Sequence, residues 1–288
     1  MSGRNSWRFI DGVLLMILVG LAVFAALSIW EELFLTGWRD EEQSHILLAP
    51  IVVGWLVWVR RERARDCRVQ WNAYGAIVIA LGWVLARVGF EQGHDLFRHT
   101  GAITMAFGAA LAVVGPRTVI RFLPAVVAMG FLLPVPGRIR HGIAHPLQEA
   151  TAVATTALLE LFGLPVTRDG NVMNINGHQV AVAEACNGMR MVAALGLVSY
   201  AFVFSTPMRA SVRVTILILS PAVALLVNII RMVPTALFYG YASLSAANLF
   251  HDASGWFMLF VALGLLWAFV GLLKWIEVPV EPYPVKAR

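Results

Sequence analysis

The sequence predicts an all-α fold, a polytopic integral membrane protein with about eight transmembrane helices, one interfacial or re-entrant helix and a small extracytoplasmic β-hairpin. Three observations predict it. Of 288 residues, 59% are hydrophobic and 14% charged, and the mean hydropathy of +0.74 lies far above that of a soluble domain. Apolar runs alternate with short loops, and arginine clusters recur on every second loop. One stretch, Gly170 to Ala183, breaks this pattern with Asn-Gly set between two alternating segments. The formal net charge of +5 comes almost wholly from arginine and reports membrane orientation, and no nucleic-acid motif accompanies it. No repeat, Gly/Ser linker or low-complexity tract interrupts the chain, so one membrane domain over residues 1–288 is the simplest organisation.

The spans follow in order: Phe9 to Trp30, His45 to Val59, Ala73 to Phe90, Thr100 to Gly115, Val119 to Leu133, Gly188 to Ser205, Val214 to Pro234 and Gly255 to Leu273. The first is as long as a bilayer crossing and lacks a small-residue cleavage site, so it reads as a helix rather than a secretory signal. Arg4 and Arg8, the run from Arg60 to Arg68, Arg117 and Arg121, Arg209 and Arg213, and finally Lys274, Lys286 and Arg288 all fall on one side. That side is cytoplasmic by the positive-inside rule, which places both termini in the cytoplasm and Cys186 outside. Residues Ile143 to Gly163 are helix-like, yet counting them as a span would invert the later clusters. Glu149, Thr156 and Glu160 give this helix one polar stripe, as expected of a segment in the outer headgroup region.

The hairpin, with Asn176-Gly177 at its tip, leads directly into "EACNGMR", Glu184 to Arg190, and then an apolar helix. Cys186 therefore lies near a helix N-terminus, where unpaired N–H groups, the helix dipole and Arg190 would all favour a thiolate. The other cysteine, Cys67, lies in the basic cytoplasmic loop and cannot pair with it across a membrane. At the outer end of the seventh span, Asn228 and Arg231 in "NIIRMVP" share a helix face. An arginine in an apolar helix is costly and points to a cavity or a partner. His251, in "HDASGWF", stands in a loop just before the Asp252 or Ser254 that would cap the last helix. A thiol, an imidazole and a guanidinium at one depth are the parts needed to cleave an amide through a thioester.

Two other readings stay open. His141, His145 and Glu149 recur every four residues and would form a metal-ligand face on a continuous helix, as in a metal-dependent membrane hydrolase. Pro146 argues that the helix begins there and breaks that register. A multi-span transporter would also carry charged groups at membrane depth, although no repeat symmetry relates the two halves.

"VAEACNGMR", "NIIRMV" and "FHDASGWF", in this order on such a chain, resemble the exosortase/archaeosortase family of membrane-embedded cysteine transpeptidase-like enzymes. "SHILLAP", "LLPVPGRI", "HPLQEATA" and "GLPVTRDG" are similar to its supporting segments, so the resemblance covers most of Ser44 to Phe269. It implies that Cys186 is the nucleophile and that Arg231 and His251 complete the catalytic set. Arg190, Asn228, Glu184, Asn187 and His45 would support it or bind substrate. Asn187 replaces the family's usual serine after the cysteine, and Ile46 its usual glycine after the early histidine. The implied substrates are exported proteins whose C-terminal sorting signal joins a short motif, often Pro-Glu-Pro, to a transmembrane helix and a basic tail. Membrane lipids and envelope or exopolysaccharide machinery are the further implied partners. Neither cofactor nor metal is implied, and the setting would be the bacterial cytoplasmic (inner) membrane with the site on its outer face.

Overall fold

The structure is a computed structural model that describes residues 9–65, 72–182, 188–275 and 280. It is mostly helical and divides into two compact units, Met1–Pro136 and Gly137–Arg288.

The first unit contains α1 (Phe9–Ala25), α2 (Leu27–Arg39), α3 (His45–Val59), the short α4 (Arg61–Arg65), α5 (Ala73–Gln92), α6 (Asp95–Arg121) and α7 (Leu123–Ala128). The first apolar run is not one straight helix. Ala26 leaves helical geometry (φ −119°, ψ 29°) and the chain bends by 82° into α2, which carries Glu31, Glu32 and Arg39. The most extensive pairing is between α5 and α6, whose backbones meet through small residues: a Cβ on Gly75 would stand 2.4 Å from Ala112, and one on Gly82 2.8 Å from the carbonyl of Gly101. Asn72 fixes the start of α5, accepting from the N–H of Gly75 at 3.2 Å and donating to the Leu111 carbonyl at 2.9 Å. In the first turns of α6, Arg98 grips both carboxylate oxygens of Glu32 on α2, and His99 Nε2 lies 3.5 Å from the same carboxylate. Gly115 takes φ 74° and ψ 161° just before Pro116, which breaks α6 between the two spans expected there.

The second unit contains α8 (Gly137–Leu161), a three-stranded antiparallel sheet of β1 (Val166–Asp169), β2 (Val172–Ile175) and β3 (His178–Ala181), then α9 (Gly188–Ser205), α10 (Ala210–Tyr241) and α11 (Leu244–Trp275). The expected hairpin is β2–β3, with positive φ at Asn176 (52°) and Gly177 (79°), as its two-residue turn requires. Beyond the expected hairpin, which begins at Gly170, a further strand, β1, pairs Val166 with Ile175 and Asp169 with Val172 across Gly170-Asn171. Helix α10 organises the unit. Ile216, Ala224 and Val227 pack with Leu195 and Val203 of α9 and Ala262 and Leu266 of α11. Further along, Met232 and Ala236 pack with Ala152 and Leu159 of α8, with Met173, Ile175 and Val180 of the sheet, and with Val182 just past it.

Three expectations are corrected here. Helix α10 does not end at Pro234 but runs on to Tyr241. A proline costs one backbone hydrogen bond, yet the turn is held by apolar packing and by the Thr235 hydroxyl, which donates to the Arg231 carbonyl at 2.8 Å. Consequently α11 starts at Leu244, where Ser243 Oγ accepts from the N–H of Ala246 at 3.3 Å. His251 is therefore inside a helix rather than in a loop, and neither Asp252 nor Ser254 is the cap. Helix α8 likewise begins at Gly137 and passes through Pro146, and of its expected polar stripe Glu149 and Glu160 are exposed while Thr156 is buried.

Among the described residues, four helices are long and apolar enough to cross a membrane: α5, α6, α10 and α11. The number rises to six if two broken helix pairs each count as one span.

Candidate active site

Arg231 is 5% exposed on α10 and is held by α11. Its Nε donates to Ser254 Oγ at 3.0 Å, and its Nη2 donates to the His251 carbonyl at 3.1 Å. The Ser254 hydroxyl donates in turn to that same carbonyl at 3.0 Å, closing a three-membered network. The guanidinium lies over Gly255, where a Cβ would stand 3.5 Å from Nη2. A buried charge needs such satisfaction, because an unpaired cation in an apolar bundle would cost several kcal/mol, on the order of 3. Phe238 stacks on Phe250 with ring centroids 4.6 Å apart, and the Tyr239 hydroxyl donates to Asn248 Oδ1 at 2.8 Å. These contacts tie the end of α10 to the start of α11 and align His251 with Arg231.

The side chain of His251 is 17% exposed, with Nδ1 3.1 Å from Asp252 Oδ1. A carboxylate at Nδ1 favours the tautomer that carries its proton there, which leaves the Nε2 lone pair to accept a proton. One turn before Arg231, the 1% exposed Asn228 donates through Nδ2 to Thr151 Oγ1 at 3.3 Å, and the Thr151 hydroxyl donates to the Leu147 carbonyl at 2.8 Å. This joins α10 to α8. Arg190 is half-buried in the first turn of α9.

Of the residues singled out from sequence, the structure brings Arg231 into contact with the backbone of His251 and puts Asn228 on the same helix face. Cys186, Glu184 and Asn187 lie outside the described residues. His45 belongs to the first unit, 4% exposed at the start of α3, with no hydrogen bond to Nδ1 among the described residues. Asp252, Ser254, Gly255 and Thr151 are the residues the sequence reading missed. Asp and Ser just before an apolar run look like caps. The clue was the three-residue spacing of His251 and Ser254, which on a helix places both on one face.

Chemically, two of the five guanidinium N–H donors are engaged among the described residues, so the group serves as both a fixed strut and a fixed positive charge. No group of three potential metal ligands comes together among the described residues. A family model described as transmembrane exosortase matches residues 37–268. No curated protein matches the chain, nor does any solved structure.

Proposed function

This chain belongs to the transmembrane exosortase family and is an integral membrane protein, and from that premise we propose that it is a membrane cysteine protease or transpeptidase acting on C-terminal sorting signals. The observation that carries this reading is the buried Arg231, clamped by Ser254 and by the backbone of His251, so that a cation and an imidazole are presented from neighbouring helices. In the proposed reaction the Cys186 thiolate attacks the scissile carbonyl and forms the carbon–sulfur bond. The carbonyl oxygen becomes an oxyanion, which the remaining N–H groups of Arg231 stabilise. Collapse breaks the carbon–nitrogen bond, and the leaving amine takes a proton from His251, which had received it from the thiol. Water or an amine then attacks the thioester carbonyl, passes its proton to His251 and releases the thiol.

The substrate class is the exported protein bearing a short motif, a transmembrane helix and a basic tail. With both termini cytoplasmic, that tail stays inside while the motif emerges beside Cys186 at the outer face of the cytoplasmic membrane. The deciding experiment is mass spectrometry of a co-expressed tripartite-tail protein, comparing its C-terminus beside the wild-type chain and beside Cys186→Ala. A truncated C-terminus only with the intact thiol is expected; identical termini would reject the proposal, and a transporter would tolerate the replacement.

A further inference from the structure

The tip of the β2–β3 hairpin is fastened to helix α10. Asn176 Nδ2 donates to the Gly240 carbonyl at 3.1 Å. Gly240 is also where Ile175, fully buried, presses on the helix: a Cβ at Gly240 would come within 2.6 Å of Ile175 Cγ2 and 3.2 Å of its Cβ. Those distances cannot be met without moving the strand or the helix, so only glycine allows the present approach. Asn176 itself occupies φ 52°, a region asparagine tolerates better than most residues. Met232, Ala236 and Gly240 are spaced by four on α10, and this stripe carries the sheet, while the adjoining Arg231 turns to α11.

In the sequence, β3 precedes Cys186 by five residues. Just past β3, the Val182 N–H donates to the Asn171 carbonyl at 2.9 Å, and Val182 precedes Cys186 by four residues in the sequence. One helix therefore holds both the strand that precedes Cys186 in the sequence and the cation proposed to act with it. We propose that Asn176 and Gly240 are positioning residues, a latch that sets the register of the strand leading to Cys186 against Arg231. The inference rests on the reading of Cys186 as the nucleophile. The latch acts through distance alone and makes no contact with substrate.

The test uses the full chain carrying Cys67→Ser, so that Cys186 is the one remaining thiol. Asn176→Gly keeps a residue suited to positive φ and removes only the amide donor, and Gly240→Ala forces the strand away. For each variant, kcat and KM are measured for cleavage of a tripartite-tail substrate, together with the pH profile of Cys186 alkylation by iodoacetamide and the thermal melting of the purified protein. A latch predicts that Asn176→Gly melts like the reference, loses about ten- to a hundredfold in kcat with little change in KM, and alkylates with a shifted pH profile. Gly240→Ala should move both readouts in the same direction. An unchanged kcat and alkylation profile in Asn176→Gly would overturn the proposal, as would a loss of rate accounted for by the unfolded fraction. Cleavage surviving Cys186→Ala would remove the nucleophile reading itself. Cleavage lost in Cys186→Ala but normal in Asn176→Gly would remove the latch alone.

Discussion

Arg231 donates through Nε to Ser254 at 3.0 Å, and that one hydrogen bond joins the helix of the arginine to the helix of His251. It determines what each substitution at the site should do.

Arg231→Lys keeps the charge but loses the fork that reaches Ser254 and the His251 carbonyl together. Loss of a preformed oxyanion donor costs about a hundred- to a thousandfold in kcat. A drop of that size is expected for Arg231→Ala and a smaller one for Arg231→Lys, measured as the initial rate of tail cleavage at saturating substrate.

Ser254→Ala leaves Nε of a buried guanidinium without its acceptor, at a cost of about 1–3 kcal/mol. Both the melting temperature and the cleavage rate should fall. Ser254→Thr, which keeps the hydroxyl, should recover part of each.

Gly255 discriminates by size. A methyl at this position would meet Arg231 Nη2 at 3.5 Å, an ordinary contact, whereas a longer side chain would displace the guanidinium. Gly255→Ala should therefore retain most cleavage and Gly255→Leu little, with both variants compared at equal amounts of folded protein.

Asp252→Asn should be mild. Asp252 is 76% exposed, and solvent-screened pairs are weak, about 0–1 kcal/mol. A several-fold reduction in cleavage is expected, well short of that for His251→Ala; equal losses would show that the carboxylate does more than orient the ring.

Gly75→Val tests the first unit. Even a Cβ there would lie 2.4 Å from Ala112, so α5 and α6 must separate, costing about 1–3 kcal/mol. Lower melting and lower yield in membranes are expected, while Gly54→Ala, with open space around it, should be silent.

Much of the fold could be read from local chemistry. Asn176-Gly177 specified a two-residue hairpin because both positions must take positive φ, and β2–β3 has that turn. A span ending at Gly115 was legible from hydropathy and the arginines that follow it, and the helix breaks at that residue. Arg231 and Asn228 were recognisable because polar groups in an apolar run demand partners. The partners themselves were not recognisable: Thr151 lies 77 positions from Asn228, and Ser254 lies 23 from Arg231.

By itself the sequence determined the membrane class, the hairpin tip and the presence of a polar pair, Asn228 and Arg231, in an apolar helix, since each depends on hydropathy, backbone preference or functional groups within a few residues. The tertiary structure alone decided that α10 continues through Pro234, that His251 stands within α11, and that Ser254 accepts from Arg231 and Asp252 lies against the His251 ring instead of capping a helix. Whether a proline ends a helix, and which acceptor a buried guanidinium finds, depends on the packing of distant segments, and no local pattern encodes that packing.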